Sequence, residues 1–264
     1  MGPFKKSEIA AALVAGGITG THRSHPRGKN LEKIFSLLEG EEDAFGISGL
    51  GRYSAAEILG FMGRIFGCSS DIADLGCEET IEPQLTVAGL VAAGRRLRRG
   101  AEAGELLLAA TGHPTGLLHH HIRVVEAYRS AGGKILQLRE DEDLGIGRRG
   151  GRAEVRYVGG VGCLADWGSL KHTHSATPME ALLEAAPWPD LVLADHGFAG
   201  AAIERGIPTI AIADINDHPL AVPWAEGKDI ILVPMDDNRP PRLYEPAWRA
   251  IEHLLEGGVL DEDP

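Results

Sequence analysis

Carboxylates and imidazoles follow the apolar runs of strand length in the second half of the chain. The polar segments lie at residues 111–116, 166–175, 195–197, 214–219 and 236–238. Carboxylates that meet at one rim repel one another unless protons or a cation intervene. We therefore expect a divalent-metal site at this rim. Its candidate ligands are Asp195, Asp214, Asn216, Asp217, His172 and His174.

The ligand types restrict which metal is expected. Asp and Asn side chains with water suit Mg²⁺ or Mn²⁺, whereas several imidazoles favour Mn²⁺, Fe²⁺ or Zn²⁺. We expect Mg²⁺ or Mn²⁺. In an extended segment the spacing of His172 and His174 places both imidazoles on one face, which allows shared ligation.

Each of these motifs also has a purely structural alternative. His172 and His174 could cap a helix expected at residues 177–186, and Asp195 could cap one beginning near residue 198. Residues 214–217 could form an Asx turn before a proline. The alternatives stay open at the level of sequence.

The stretch LLLAATGHPTGLL at residues 106–118 predicts a strand, a tight turn and the start of a helix. Such a junction aims backbone N–H groups and the positive end of a helix dipole at one point, which suits a phosphate. We expect Thr111, Gly112, Thr115 and Gly116 to bind the substrate there. An ordinary strand–helix turn is the alternative, because Gly, Pro and Thr are common at such turns.

The catalytic groups are expected beside that turn. His113 or His196 would give a proton to the leaving oxygen, with Asp195 as a further catalytic residue. The sequence contains no G-x-S-x-G elbow, Walker loop or C-x₅-R loop, and the glycine turn at residues 112–116 does not match G-x-G-x-x-G. The attacker in a hydrolase reaction would then be a metal-activated water.

Two other polar stretches attract attention. Residues 19–30 carry His, Arg and Lys side chains but no acid, and predict either a cationic flap over an anionic substrate or a solvated loop. Under the first interpretation Arg27 and Asn30 bind substrate. The run of three histidines at residues 119–121 lies in a predicted helix, and we expect it to be mostly at the surface.

Composition excludes several classes of function. Of the 264 residues 44% are hydrophobic, only 5% are aromatic, and the net charge is −12, which argues against nucleic-acid binding. Three scattered Cys form neither a disulfide framework nor a zinc knuckle. No apolar run is long enough to span a membrane, and the N-terminus resembles a signal peptide only faintly. We expect a soluble cytoplasmic protein with no membrane partner, and consider a homo-oligomer.

Hydrophobic periodicity divides the chain near residue 100. Residues 1–100 predict a mainly helical region and a possible lid, with helices at 7–15, 31–38, 54–66 and 83–99. Residues 101–264 predict an α/β core with strands at 106–110, 134–138, 154–165, 191–194, 209–213 and 230–234, and helices at 117–130, 177–186 and 198–205. Residues 154–165 could form a hairpin about Gly159 and Gly160. The alternation predicts a mostly parallel, Rossmann-like sheet flanked by helices. Ligands bind at the carboxyl ends of such strands.

The chain resembles a bacterial family of proteins described simply as phosphatases. The resemblance rests on ATGHPTGLL, LKHTHSATPMEALL, PDLVLADHGFAGAAIERGIPTIAIADINDHPL, VPMDD and YEPA, and runs from about residue 30 to about residue 248. It implies phosphomonoester hydrolysis in a soluble α/β protein. The positions that match the motifs are His113, His172, His174, Asp195, His196, Asp214, Asn216 and Asp217.

The sequence thus predicts a metal-dependent phosphatase that acts on a small phosphorylated metabolite. Two rivals stay open. One is a transferase or lyase that uses the same rim for a nucleotide or sugar phosphate. The other is a non-catalytic protein that binds a phosphorylated ligand.

Overall fold

An eight-stranded sheet lies at the centre of the structure, a computed structural model that describes residues 5–21, 25–140, 143 and 153–261. The strands are β1 Gly20–Thr21, β2 Thr80–Ile81, β3 Leu106–Thr111, β4 Lys134–Ile135, β5 Glu154–Val158, β6 Val161–Asp166, β7 Ser169–Leu170, β8 Leu191–Asp195, β9 Thr209–Ala213 and β10 Ile230–Pro234. The helices are α1 Lys6–Ala15, α2 Arg27–Glu39, α3 Ala55–Phe66, α4 Pro83–Ala103, α5 Pro114–Ser130, α6 Thr177–Leu183, α7 His196–Glu204, α8 His218–Ala225 and α9 Glu245–Leu255.

The strand order of the central sheet is β10-β9-β8-β3-β6-β5. All neighbours from β10 to β6 are parallel, and the β5–β6 hairpin is antiparallel. Strand β4 pairs with the beginning of β3, and β7 pairs with β6. The chain builds one side of β3 first and then the other side from β8 onwards, so the order reverses between β3 and β8. In such sheets the crevice at this reversal is the usual ligand site.

Helices cover both faces of the sheet because the strands are apolar on both faces. Leu108 and Ala110 of β3 belong to a hydrophobic cluster with α2, α3, α6, α7 and α8. Leu107 and Ala109 belong to a second cluster with α1, α4, α5 and α9. The four helices before residue 104 therefore pack in both outer layers. The predicted division at residue 100 and a lid role stay predictions.

The α/β class and the mostly parallel sheet are confirmed. Strands β9 and β10 have the predicted bounds, and the predicted hairpin is β5–β6. The strand predicted at 134–138 is only two residues long, and β1 and β2 pair within the region expected to be helical. All three Cys are free. Among the described residues, no helix has the length and apolar character needed to cross a membrane.

Candidate active site

The carboxyl ends of β3, β8, β9 and β10 lie side by side at one edge of the sheet. The last residues of each strand are buried, and a polar segment follows each of them at this edge. His113 follows β3, His196 follows β8, Asp214 follows β9 and Asp237 follows β10. The structure thus brings together residues that are far apart in sequence, as expected for parallel strands.

His196 is central to the resulting cluster. Its Nε2 lies 2.9 Å from Asp237 Oδ2 and 3.6 Å from Asp217 Oδ1. The residue is buried and has a φ of 46°, in the left-handed region that a non-glycine residue rarely occupies. Backbone strain of this kind is found preferentially at functional sites.

His172 and His174 approach the same point from the loop before α6. Their ring centroids are 4.8 Å apart, and the His174 ring is 4.4 Å from that of His196. Neither imidazole caps α6, because the Thr177 N–H is bonded to Ser175 Oγ instead. The prediction that the two imidazoles share a face agrees with this arrangement.

Three overlapping groups of side chains present ligand atoms within 4.8 Å of one another. The groups are His172, His174 and His196; His196, Asp217 and Asp237; and Asp214, Asp236 and Asp237. Asp217 Oδ1 is buried and has no hydrogen-bond partner among the described residues. Such an orphaned oxygen beside imidazoles and carboxylates fits a divalent cation, and the mixed donor set suits Mn²⁺ or Zn²⁺ as well as Mg²⁺.

The raised pKa values of two aspartates also favour a bound cation. Burial, with the charges of Asp237 and Asp236, raises the pKa of Asp214 well above its usual value. Burial also raises the pKa of Asp217 to about 7, although His196 acts to lower it. These carboxylates are crowded with too little positive charge, which a bound cation would relieve.

His196 and Asp237 shift each other's pKa in opposite directions. Burial acts to lower the pKa of His196, but Asp217, Asp237 and Asp195 together raise it to about 10. Burial acts to raise the pKa of Asp237, but the hydrogen bond from His196 brings it down to about 2. The two side chains form a tightly held ion pair within the cluster.

Asp195 behaves differently from the other aspartates. Its Oδ1 accepts a hydrogen bond from the Gly112 N–H at 2.7 Å, and its side chain does not cap α7. It belongs to none of the three ligand groups found in the described part of the chain. Its predicted roles as ligand and catalytic residue stay predictions.

The turn after β3 uses its polar groups internally. Gly112 N–H is bonded to Asp195, and the N–H of His113 is bonded to the hydroxyl of buried Thr111 at 2.9 Å. A Cβ on Gly112 would collide with the Thr173 carbonyl. These contacts explain the glycine by close packing of two loops, and they leave fewer N–H groups for an anion than the sequence suggests.

The first turn of α5 carries two further predicted substrate residues. Gly116 lies against the Asp237 backbone, where an added Cβ would collide with the carbonyl oxygen. Its N–H is bonded to the His113 carbonyl at 3.2 Å. Thr115 is exposed, with its hydroxyl 3.5 Å from His113 Nδ1. Of the predicted phosphate contacts in this turn, the Thr115 hydroxyl is the most accessible.

His113 lies between the turn and the cluster. Its Nε2 is 3.9 Å from Asp237 Oδ1, and its ring centroid is 4.5 Å from that of His172. It is not a member of the three ligand groups in the described residues. The imidazole is therefore adjacent to the candidate metal site without being required as a ligand.

Asn216 joins the cluster to α2. In the amide orientation that satisfies both of its ends, the nitrogen is 3.1 Å from Asp214 Oδ2 and the oxygen is 3.1 Å from Lys33 Nζ. The turn is also held by the Asp214 N–H, which donates to Asp217 Oδ2 at 2.8 Å. The turn at residues 214–217 thus uses Asp217 Oδ2 as an acceptor and leaves Asp217 Oδ1 without a hydrogen bond.

Arg27 and Asn30 lie in a separate buried network. Arg27 Nη1 is 3.3 Å from Glu79 Oε1, and Asn30 Nδ2 is 3.2 Å from the same oxygen. The guanidinium also bonds the carbonyls of Asp71 and Asp74. The structure does not bring these two side chains into the aspartate and histidine cluster. Residues 22–24 of the predicted flap lie outside the described residues.

The expectation that the run of three histidines lies mostly at the surface is wrong for two of its members. His120 and His121 are buried, and His121 Nε2 is 3.8 Å from Asp195 Oδ2. Burial lowers the pKa of His121 to about 4. Both residues face inwards because α5 packs its inner side on β3 and α9.

Several residues that were not predicted from the sequence either belong to the ligand groups or pack against them. Asp236 and Asp237 follow β10 just as the predicted ligands follow β8 and β9, so the same signal was present. Phe45 packs on His174 and His196 with both centroid distances at 5.4 Å, and nothing in its local sequence indicates this. The buried Tyr244 hydroxyl donates to the Asp236 carbonyl at 2.7 Å and fixes the loop.

The fold and the cluster together define an α/β protein with a buried carboxylate and imidazole site at the carboxyl edge of a parallel sheet. The profile of the family described as Phosphatase matches residues 4–256. A protein of Streptomyces coelicolor that is named as a phosphatase is 36% identical over 266 residues, a match that covers 98% of both proteins. The chain therefore belongs to the Phosphatase family, as the sequence resemblance implied, and this membership supports a phosphatase activity.

Proposed function

We propose that the protein is a metal-dependent phosphatase that hydrolyses the phosphomonoester of a small metabolite, in a cytoplasmic setting. The observation that carries the proposal is the overlap of the three ligand groups around His196 and Asp237. Membership of the Phosphatase family supplies the class of reaction. The buried Asp217 Oδ1 supports the metal requirement, because it accepts no hydrogen bond from the described residues.

The proposed ligands come from the three groups, with Asn216 retained from the sequence as a further candidate, whereas Asp195 is proposed to support the cluster through its bond from the Gly112 N–H. A divalent cation held there would supply Lewis-acid chemistry, polarising the phosphoryl group and acidifying the attacking water. His172 and His174 would bind on the more exposed side, and Asp217 on the buried side.

His113 is proposed to give the proton to the leaving oxygen. It is preferred to His196 because His196 belongs to two of the ligand groups and His113 to none in the described residues. Asp237 Oδ1, 3.9 Å from His113 Nε2, would orient the ring. The exposed Thr115 hydroxyl, on the same side of the turn, is proposed as a contact of a phosphoryl oxygen.

The test is phosphate release by the full-length protein after chelation and reloading with Mn²⁺, Mg²⁺ or Zn²⁺. The substrates are sugar phosphates, nucleoside monophosphates and p-nitrophenyl phosphate. We expect release only after reloading, and its loss in Asp217→Asn. Asp166→Asn is the matched control, because Asp166 also ends a strand but pairs with Lys171 outside the cluster. Release that persists in EDTA would contradict the metal requirement.

The same assay separates the rivals. Binding of an ester without turnover, with or without metal, would indicate a phosphoryl-ligand sensor. Consumption of a sugar or nucleotide phosphate without free phosphate would indicate a transferase or lyase. Either result would overturn the proposed hydrolysis.

A further inference from the structure

A cleft leads from the surface to the ligand cluster between α2 and the loop that joins β9 to α8. The cleft is narrow, with a volume of about 20 Å³, and its charged lining residues are Lys33, Glu42, Asp43 and Asp217. Behind it lie the buried carboxylates of the cluster, in a chain whose net charge is −12. A phosphomonoester dianion at the mouth of this cleft is repelled by these carboxylates unless positive charge lies near it.

Lys33 is a cation placed to provide that charge. Its Nζ lies 3.1 Å from the Asn216 amide oxygen, which is neutral. It forms no ion pair with a carboxylate in the part of the chain that the structure describes. Among the described residues the ammonium charge is therefore not neutralised by an ion pair.

A buried network around Glu79 holds α2, the helix that carries Lys33. The Arg27 and Asn30 side chains share the Glu79 carboxylate at 3.3 Å and 3.2 Å, and all three residues are buried. Lys33 lies three residues after Asn30, within one helical turn. The network therefore holds the α2 backbone in place while leaving the lysine side chain partly exposed. A preorganised cation loses less entropy when it binds an anion.

We propose that Lys33 binds the phosphoryl group of the substrate at the mouth of the metal-ligand cluster, with Arg27 and Asn30 as positioning residues for its helix. The ligand class is a phosphomonoester dianion or free inorganic phosphate. The proposal deepens the phosphatase function and rests on it. It assigns to the two buried residues a structural role in place of direct contact with the substrate.

The test uses full-length protein reloaded with metal, with two independent readouts. Steady-state kinetics on the best ester give KM and kcat, and calorimetry gives the affinity for inorganic phosphate without turnover. We expect Lys33→Gln to raise both KM and the phosphate Kd by about 10- to 100-fold, the range for loss of a charged hydrogen bond. Lys33→Arg should retain most of the affinity, because the positive charge remains.

Lys134→Gln is the matched control, since it removes the same charge from an exposed site at the start of β4, away from the carboxyl edge of the sheet. Metal content of Lys33→Gln must equal that of the wild type, which excludes an indirect effect through Asn216 and Asp214. A phosphate Kd and KM within about twofold of the control would overturn the Lys33 assignment while leaving the phosphatase proposal intact. Wild-type protein that binds phosphate through Lys33 but releases none from any ester would overturn hydrolysis and support Lys33.

Discussion

The Asp195 carboxylate accepts a hydrogen bond from the Gly112 backbone N–H at 2.7 Å, across 83 residues of sequence. Strands β3 and β8 are neighbours, so this bond joins their carboxyl ends at the point where the strand order reverses. The other oxygen, Oδ2, faces His121 Nε2 at 3.8 Å and has no hydrogen-bond partner among the described residues. Asp195 thus lies next to the ligand cluster, with Oδ1 also 3.5 Å from His196 Nδ1, and joins the loop after β3 to the start of α7.

From this position we predict that Asp195→Ala acts mainly on stability. The change leaves the buried Gly112 N–H without an acceptor, which costs about 1–3 kcal/mol of unfolding free energy. Urea unfolding in EDTA measures that loss, and metal analysis should show wild-type content after reloading. Metal loss at unchanged stability would instead make Asp195 a ligand, as the sequence predicts.

Asp237 should matter more for metal binding than Asp236. Asp237 belongs to two ligand groups and accepts the His196 hydrogen bond, whereas Asp236 belongs to one group. We expect Asp237→Asn to weaken Mn²⁺ binding more than about 100-fold, beyond the effect of a group that only orients a ligand. Asp236→Asn should have a smaller effect, measured by competition with a chelating dye. Equal effects would contradict the arrangement derived from the overlapping groups.

Much of the fold follows from sequence because buried parallel strands are continuous apolar runs. Strands β9 and β10 and the β5–β6 hairpin were predictable for this reason. The helices α8 and α9 escaped prediction. Two prolines, Pro219 and Pro223, lie in α8, where they obscure the helical pattern.

Only those residues of the candidate site that directly follow a predicted strand could be predicted from the sequence. That signal identified Asp214, Asp217 and His196, and it also marked Asp237. It could not show that the Arg27 guanidinium is buried against Glu79, because the partner lies 52 residues later. Nor could it show that the Gly112 N–H is already bonded. Both facts depend on tertiary packing between segments with no shared pattern.

Gly116 is required by packing and not by backbone conformation. A Cβ there would collide with the Asp237 carbonyl oxygen, so Gly116→Ala must displace the loop that carries a proposed ligand. We expect a loss of about 1–3 kcal/mol in unfolding free energy, typical of overpacking, together with weaker Mn²⁺ binding.

Gly60→Ala is the control for this change, because it lies inside α3 with no atom within 4 Å of the added Cβ. It should stabilise the protein by about 0.5–1 kcal/mol. Thermal unfolding and metal titration of both variants test the argument. Wild-type metal affinity in Gly116→Ala would show that the Asp237 loop is not held by this contact.

The metal-free protein should lose stability as the pH rises from 7 to 8. Burial acts to lower the pKa of His196, but Asp217, Asp237 and Asp195 raise it to about 10, above the ordinary 6.5. A raised histidine pKa stabilises the fold fully below pH 6.5, and that contribution is lost as the pH rises towards 10. The raised pKa of Asp217, about 7, adds to the same trend near neutrality.

The expected slope approaches about 1.4 kcal/mol of unfolding free energy per pH unit for the single proton on His196. Urea unfolding in EDTA at pH 7, 7.5 and 8 measures it, below the ordinary thiol pKa of 9 at which Cys68 ionises in the unfolded chain, since burial raises the pKa of that thiol in the fold. His196→Asn alone removes the charge that lowers the pKa of Asp217, so the double variant His196→Asn/Asp217→Asn is used, and it should flatten the slope. A wild-type slope of zero, or one that persists in the double variant, would show that the ion pair with Asp237 does not hold that proton in the fold.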